Sequence, residues 1–589
     1  MRQTVKDLFG YIRRYPVRYA IGLSLLVAFA TLTTFVPILI GRVIDLLQAG
    51  PASVSFNEVL SNIALLVAVM AAAATAMVWV RRTILEASWE IQFDIRHDLF
   101  EHFMRLDGAY YDNHRVGDLM ARLTADLNAV RMYVGVAVFM GTNTVLLLLF
   151  TLARMASLNI ALTLLTMLVV PFITLTFFIM LRIIHRRYQR VQEQFSDVSA
   201  MAQENFSGIR VVKGFGIEDR EENAFGRLND EFIRRNLALT RVDGPLFPMM
   251  ELFFALTISL LLLFGGRQVL GAGGNLSIGD FSAFVFLFMG IQWPLIALGW
   301  IANIIQRGTT SWLRLREIFD SAPDIVDTDE VDTSLRQVRG DIEFKNVTVR
   351  YDGQAVLDNV SFRMRAGETV GLTGRTGSGK TLIVQLIARL LDPDEGEILI
   401  DGRPIKHFPL EVLRRHIGLV PQEPFLFSDT IAENIAYGLP EEDAEALMPR
   451  IRNMARLAQL DDDVIAFPLG YDTPLGERGV TLSGGQRQRT ALARAFIREP
   501  NILILDDSLS AVDTQTESAI LDGLEEIQKG RTTLIVAHRI SAFRSADRIF
   551  VLERGRIVEE GSHRELIGKD GWYADMDRRQ QLEADLEAG

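Results

Sequence analysis

Long stretches without charge alternate with charged, helix-patterned stretches through the first 305 residues. A bilayer core needs about 20 apolar residues of helix. Charge-free runs reach that length at residues 19–40, 60–80, 132–153, 157–181 and 281–305. A sixth run, 252–266, is shorter, and reaches full length only by extending back through Glu251 to about Pro245. Five or six such runs in one region argue for membrane spans rather than buried core helices. After residue 340 the apolar residues relax into short β-rich runs alternating with helices, the pattern of an α/β domain.

Positive charge orients the spans. The N-terminal segment carries five Lys/Arg residues, 81–131 carries seven and 182–245 carries eleven, whereas the alternate connections hold only Arg42, Arg154 and Arg267. The N-terminus and both long loops are therefore expected in the cytoplasm, and the C-terminal domain with them. The long loops are charged but keep helical periodicity, so the spans are expected to continue as helices beyond the bilayer. Each contains a break, at 109–119 and 209–220, read as a short turn able to dock on another domain or as an ordinary surface turn. The N-terminal segment lacks a cleavage site and reads as an amphipathic helix at the membrane surface, or as a soluble helix leading into the first span. The acidic stretch 320–339, with Pro323 and no apolar periodicity, reads as a linker between a transmembrane domain at 1–319 and a nucleotide-binding domain at 340–589.

Composition narrows the chemistry. The net charge of -12 argues against a nucleic-acid partner. The chain has no cysteine, which excludes disulfides, zinc thiolate sites and a cysteine nucleophile, and with it a fused cysteine protease.

The first site motif is GRTGSGKT: Gly374, Arg375, Thr376, Gly377, Ser378, Gly379, Lys380 and Thr381. An apolar run, ETVGLTG, precedes it and a helical pattern follows. That strand–loop–helix setting is the one a phosphate-binding loop requires. Glycines let backbone N–H groups turn toward phosphate oxygens, and the helix N-terminus adds partial positive charge. Lys380 is expected to reach the β/γ-phosphates of ATP, and the Thr381 hydroxyl to hold Mg²⁺. The run NILILDD ends in Asp506, placed to bind Mg²⁺, and Asp507, placed to face the attacking water.

Between these motifs stands LSGGQ, 482–486. It resembles the signature of ABC transporters, and other segments match that family in order. Tyr351 falls where the family stacks an aromatic ring on adenine. Gln422 resembles the Q-loop residue that touches Mg²⁺ and relays to the membrane domain. GERG at 476–479 resembles the exporter X-loop and SAVD at 510–513 the D-loop. His538 resembles the switch histidine at the γ-phosphate. The resemblance covers essentially the whole chain, which looks like half of a type IV exporter: an α-helical membrane domain of six spans with long cytoplasmic extensions, fused to an α/β P-loop ATPase. Residues 110–119 and 210–220 then fall where the family has its coupling helices. Ser483, Gly484 and Gly485 open a helix and form a second anion site, with Gln486 beside them. One chain cannot easily aim both anion sites at one phosphate. The resemblance implies that ATP is sandwiched against the signature of a second exporter half, in a bacterial inner membrane.

One position departs from the family. Where it usually has Glu after the Mg²⁺-binding Asp, this chain has Asp507, shorter by one methylene, about 1.5 Å. The expectation is slow hydrolysis at this chain's own site, in a heterodimer whose partner carries the Glu. The competing expectation is a homodimer in which Asp507 suffices. Glu251, inside a proposed span, either attracts cationic amphiphiles or lies at the headgroups. Phe253, Phe254, Phe284, Phe286, Phe288 and Trp293 either line an apolar substrate cavity or pack and face lipid, and Pro294 is expected to kink the last span. The expected cargo is an amphipathic small molecule, drug or lipid. The alternatives are a dedicated peptide or metabolite exporter, and a regulatory ATP-gated subunit with little hydrolysis.

Overall fold

Among the described residues, six helices are long and apolar enough to cross a membrane, and all lie in the first of two units into which the chain divides. This computed structural model describes every residue except Met1, 51–52, 272–275, Asp352, 440–443, 477–478, Val480, 509–515, Ser518, Asp522, 524–529 and Gly589. Unit 1 comprises Met1–Leu106 and Tyr111–Ala322, and unit 2 comprises Asp107–Tyr110 and Pro323–Gly589.

In unit 1, helix α1 is Arg2–Ile12 and α2 is Pro16–Ala49. Phe56–Arg105 forms α3, and the short α4, Gly108–Asn113, follows, with Gly108–Tyr110 counted in unit 2. Then follow α5, Val116–Leu158, and α6, Ile160–Ser207. The short α7 is Ile209–Phe215, α8 is Glu218–Asp243, α9 is Leu246–Val269 and α10 is Ile278–Asp320. The fourth span cannot start at residue 157, because Asn159 adopts an extended backbone and caps α6 by accepting a hydrogen bond from the Leu162 N–H. The breaks at 109–119 and 209–220 carry the short helices α4 and α7, as the resemblance implied and the reading as turns did not, α7 being closed by Gly216 at φ +61°. Of the six candidate cavity aromatics, Phe254, Phe284 and Phe288 are buried in a packed core with Met155, Leu261 and Ile291, whereas Phe286 and Trp293 are exposed. Glu251 is exposed on α9. Pro294 lies inside α10, which continues through it.

Where helices cross in an apolar medium, close approach relies on small residues. A Cβ on Gly279 of α10 would lie 2.1 Å from the Gly41 carbonyl oxygen of α2. The Asp45 carboxylate accepts from the Gly279 N–H at 2.6 Å and the Ser277 hydroxyl at 2.7 Å there. The basic N-terminus is met by an acidic stripe on α3: Arg18 pairs with Glu90 at 2.8 Å and Arg14 with Asp94 at 3.2 Å, while the Tyr11 hydroxyl donates to Asp98 at 3.0 Å. Val5 and Phe9 on the other face of α1 stay exposed.

Unit 2 carries two sheets. Strands β1 (Ile342–Tyr351), β2 (Gln354–Met364), β4 (Glu395–Ile400) and β5 (Arg403–Pro404) form an antiparallel sheet in the order β2-β1-β4-β5. The second sheet has the order β10-β9-β3-β8-β7-β6. Its strands are β3 (Thr369–Gly374), β6 (Ile417–Val420), β7 (Ile502–Asp506), β8 (Thr532–Val536), β9 (Arg548–Glu553) and β10 (Arg556–Gly561). All but β10 run parallel. Every residue of β3, β7 and β8 is buried, as expected of a parallel sheet covered on both faces. Such strands read as apolar runs, and loops at their carboxyl ends are where α/β domains build sites.

Candidate nucleotide site

The phosphate-binding loop joins β3 to helix α11, Lys380–Ile387. Its glycines are required by backbone geometry. Gly374, Gly377 and Gly379 have φ of +146°, +79° and +105°, where side chains are strained. A Cβ on Gly374 would stand 2.0 Å from the Leu552 carbonyl oxygen. Lys380 is buried, and its ammonium donates to the carbonyls of Gly374 at 2.9 Å and Arg375 at 3.1 Å. An ammonium has three donors, so one remains for a phosphate oxygen. Ser378 Oγ is buried and has no hydrogen-bond partner among the described residues, a cost that a phosphate oxygen in the loop would remove. These features fit a nucleotide.

The adjacent strand ends supply acids. Asp506 closes β7 and is buried, and its carboxylate accepts a hydrogen bond from the Thr381 side chain. Burial pushes the Asp506 carboxyl above its ordinary pKa and Asp507 pushes it further, against the pull of Thr381, Lys380 and His538. Asp507 is raised mainly by burial too, opposed by His538, Lys380 and Arg539. Burial also lowers the Lys380 pKa, while both aspartates oppose it. A hydroxyl beside a buried carboxylate, with a second carboxylate adjacent, is an all-oxygen donor set suited to Mg²⁺.

Asp507 itself has φ +46°, and its N–H donates to the Val536 carbonyl at 2.8 Å, tying the end of β7 to that of β8. Its carboxylate accepts from the His538 backbone N–H and, at 3.5 Å, from Gln422 Nε2. Lys380, Thr381, Gln422, Asp506, Asp507 and His538 thus belong to one cluster built at the ends of four neighbouring strands, β3, β8, β7 and β6. Tyr351 ends β1 with its ring about half exposed, open to stacking.

The signature segment opens helix α12, Gly484–Phe496. Ser483 is its N-cap, and Ser483 and Gln486 form a reciprocal capping box: the Gln486 N–H donates to Ser483 Oγ at 3.2 Å and the Ser483 N–H to Gln486 Oε1 at 3.0 Å. The Gln486 side chain is therefore engaged with its own helix start, which leaves Gly484 and Gly485 in the first turn as anion-binding donors. The expected D-loop, 510–513, and Glu477 and Arg478 of the expected X-loop lie outside the described residues.

Two side chains that sequence reasoning missed grip the segment carrying His538. Glu517, 2% exposed, accepts from Arg539 Nη1 at 2.7 Å and from the Ser541 hydroxyl at 2.9 Å. Gln580 donates to the His538 carbonyl at 2.7 Å and accepts from the Ile540 N–H at 2.8 Å. No motif marks either one.

Residues 19–295 match the family model described as ABC transporter transmembrane region, and 357–510 the one described as ABC transporter. Multidrug resistance-like ATP-binding protein MdlA of Escherichia coli (strain K12) is 36% identical over 99% of this chain and 97% of its own length. An ATP-dependent lipid A-core flippase of Hahella chejuensis is 36% identical over 83% of each chain. A solved structure of a bacterial Atm1-family ABC exporter with ATP bound superposes with a TM-score of 0.78 at 27% identity, covering 97% of this chain and 99% of that one.

Proposed function

The chain belongs to the ABC transporter family, as an exporter with membrane region and ATPase domain in one polypeptide, and on that premise we propose what it moves, with which partner, and how. It exports or flips amphipathic small molecules, drugs or lipids across a bacterial inner membrane, with both termini in the cytoplasm. It works as one half of a dimer with a second exporter half. One observation carries the reading: six apolar helices long enough to cross a membrane share a chain with a phosphate-binding loop and an LSGGQ helix start. The relatives named for multidrug resistance and for lipid A-core flipping support the cargo class.

At the site, the loop N–H groups and Lys380 bind and orient the phosphates, and Tyr351 stacks on the base. Thr381 and Asp506 would hold Mg²⁺, which when bound neutralises charge on the β- and γ-phosphate oxygens. Asp507 orients the attacking water and accepts its proton, and Gln422 and His538 border the same position. The opening turn of α12 serves the nucleotide of the partner half, so that ATP closes two ATPase domains on one another. Closure then rocks the membrane halves between access states.

The short Asp507 supports a further assignment: this chain's own site turns over slowly and the partner supplies the faster one. The same residue favours a second reading, a regulatory subunit that binds ATP with little hydrolysis. Uptake of a fluorescent amphiphile into inside-out vesicles, with ATP and a competent partner, separates the two. ATP-driven accumulation abolished by Lys380→Ala supports export. ATP binding without any accumulation supports the regulatory reading.

A further inference from the structure

We propose that Gln580 is a positioning residue for hydrolysis: from the C-terminal helix α13 (Trp572–Ala588) its amide sets the pose of the segment that presents His538. The inference rests on the reading that this site hydrolyses ATP.

Strand β8 ends at Val536, and beyond it the chain leaves the sheet. Residues 538–541 therefore have no ladder to hold them, and side chains replace it. Gln580 does so with both halves of its amide, donating to the His538 carbonyl and accepting from the Ile540 N–H. Those partners permit only one orientation of the amide, since a carbonyl can only accept and an N–H can only donate. Glu517 fixes Arg539 and Ser541 independently. The His538 N–H also donates to the Asp507 carboxylate. A shift of the segment thus moves His538 and disturbs Asp507 together.

The helix offering Gln580 is firmly seated. Tyr573 is fully buried and its hydroxyl lies 2.8 Å from His563 Nδ1, while the Trp572 N–H donates to Glu559 Oε1 at 2.6 Å. Gln580 itself is only partly buried and belongs to no recognised nucleotide motif. Its two bonds go to the backbone that carries the switch histidine rather than to the loop that binds phosphate. Its effect should therefore fall on the chemical step and spare nucleotide affinity.

The test uses the full-length chain in lipid nanodiscs, in wild-type and Asp507→Glu backgrounds. Gln580→Met keeps the side-chain size and removes both bonds. The expected result is a roughly tenfold fall in kcat, equivalent to about 1.4 kcal/mol, with KM for ATP within twofold and an unchanged melting temperature. In a His538→Ala chain the same substitution should cost less, leaving only the part that acts through the backbone N–H held by Asp507. Gln580→Glu, which keeps the acceptor and loses the donor, should fall between. Hydrogen exchange across 538–543 should quicken in Gln580→Met. Unchanged kcat, unchanged exchange, or equal losses with and without His538 would overturn the proposal. If neither background hydrolyses ATP, the hydrolysis reading fails, and the exchange measurement alone then decides whether Gln580 holds the segment.

Discussion

Under the proposed function, the chemistry turns on Lys380 and Asp507. Lys380 is already held by two loop carbonyls, so its removal leaves the loop without its point charge as well as without a phosphate donor. Lys380→Ala should lower ATP hydrolysis on the order of 10²-fold or more, measured as steady-state phosphate release in nanodiscs; activity within a few fold of wild type would exclude this loop as the phosphate site. Asp507→Glu should act in the other direction. The added methylene carries the carboxylate about 1.5 Å further toward the water, and displacements near 1 Å can change rates up to about 10²-fold. The same assay should show at least a severalfold gain, and no gain would mean that Asp507 is an adequate base as it stands. The loop glycines and the paired acids were legible in the sequence because their constraint is local. The Thr381 bond to Asp506 was not, because it joins residues more than a hundred positions apart whose meeting depends on β3 and β7 lying near one another in one sheet.

Elements show the same division. The spans could be counted from apolar length alone, since a bilayer selects for length. Their ends could not: Asn159 caps α6 within a stretch that reads as continuous apolar helix. The interrupted loops were recognised, but only the family resemblance pointed to helices there, since six- and seven-residue helices are too short to show a period of their own. Two outcomes belong to this scale. Gly374→Ala sets a Cβ against the Leu552 carbonyl at a φ only glycine tolerates, and should destabilise the ATPase domain by about 3 kcal/mol, read as a lowered unfolding temperature of the purified chain; an unshifted transition would show that the loop adapts cheaply. Ser483→Ala removes the cap of α12 and its capping box, at about 1 kcal/mol in stability. It should also slow any site served by that helix start, so ATPase of the dimer should drop by more than the stability loss explains.

For the whole molecule, the expected behaviour is that of two chains sharing each nucleotide. In the Asp507→Glu background, copies bearing Lys380→Ala and copies bearing Ser483→Arg should each be nearly inactive alone. Co-assembled, they restore one composite site from the intact loop of one copy and the intact signature of the other. Phosphate release from purified mixed dimers is the check, and activity no higher than in either parent would argue against a shared site. By itself, the sequence determined the number of spans, the phosphate-binding loop, the paired acids and the signature helix start. Those features depend on apolar length, glycine-permitted backbone and short-range order along the chain. The tertiary structure alone decided that Phe254, Phe284 and Phe288 form a packed core rather than a cavity wall, and that Glu517 and Gln580 grip the segment bearing His538. Which faces meet across a fold depends on how distant elements pack, and a pattern read along one chain carries no record of that.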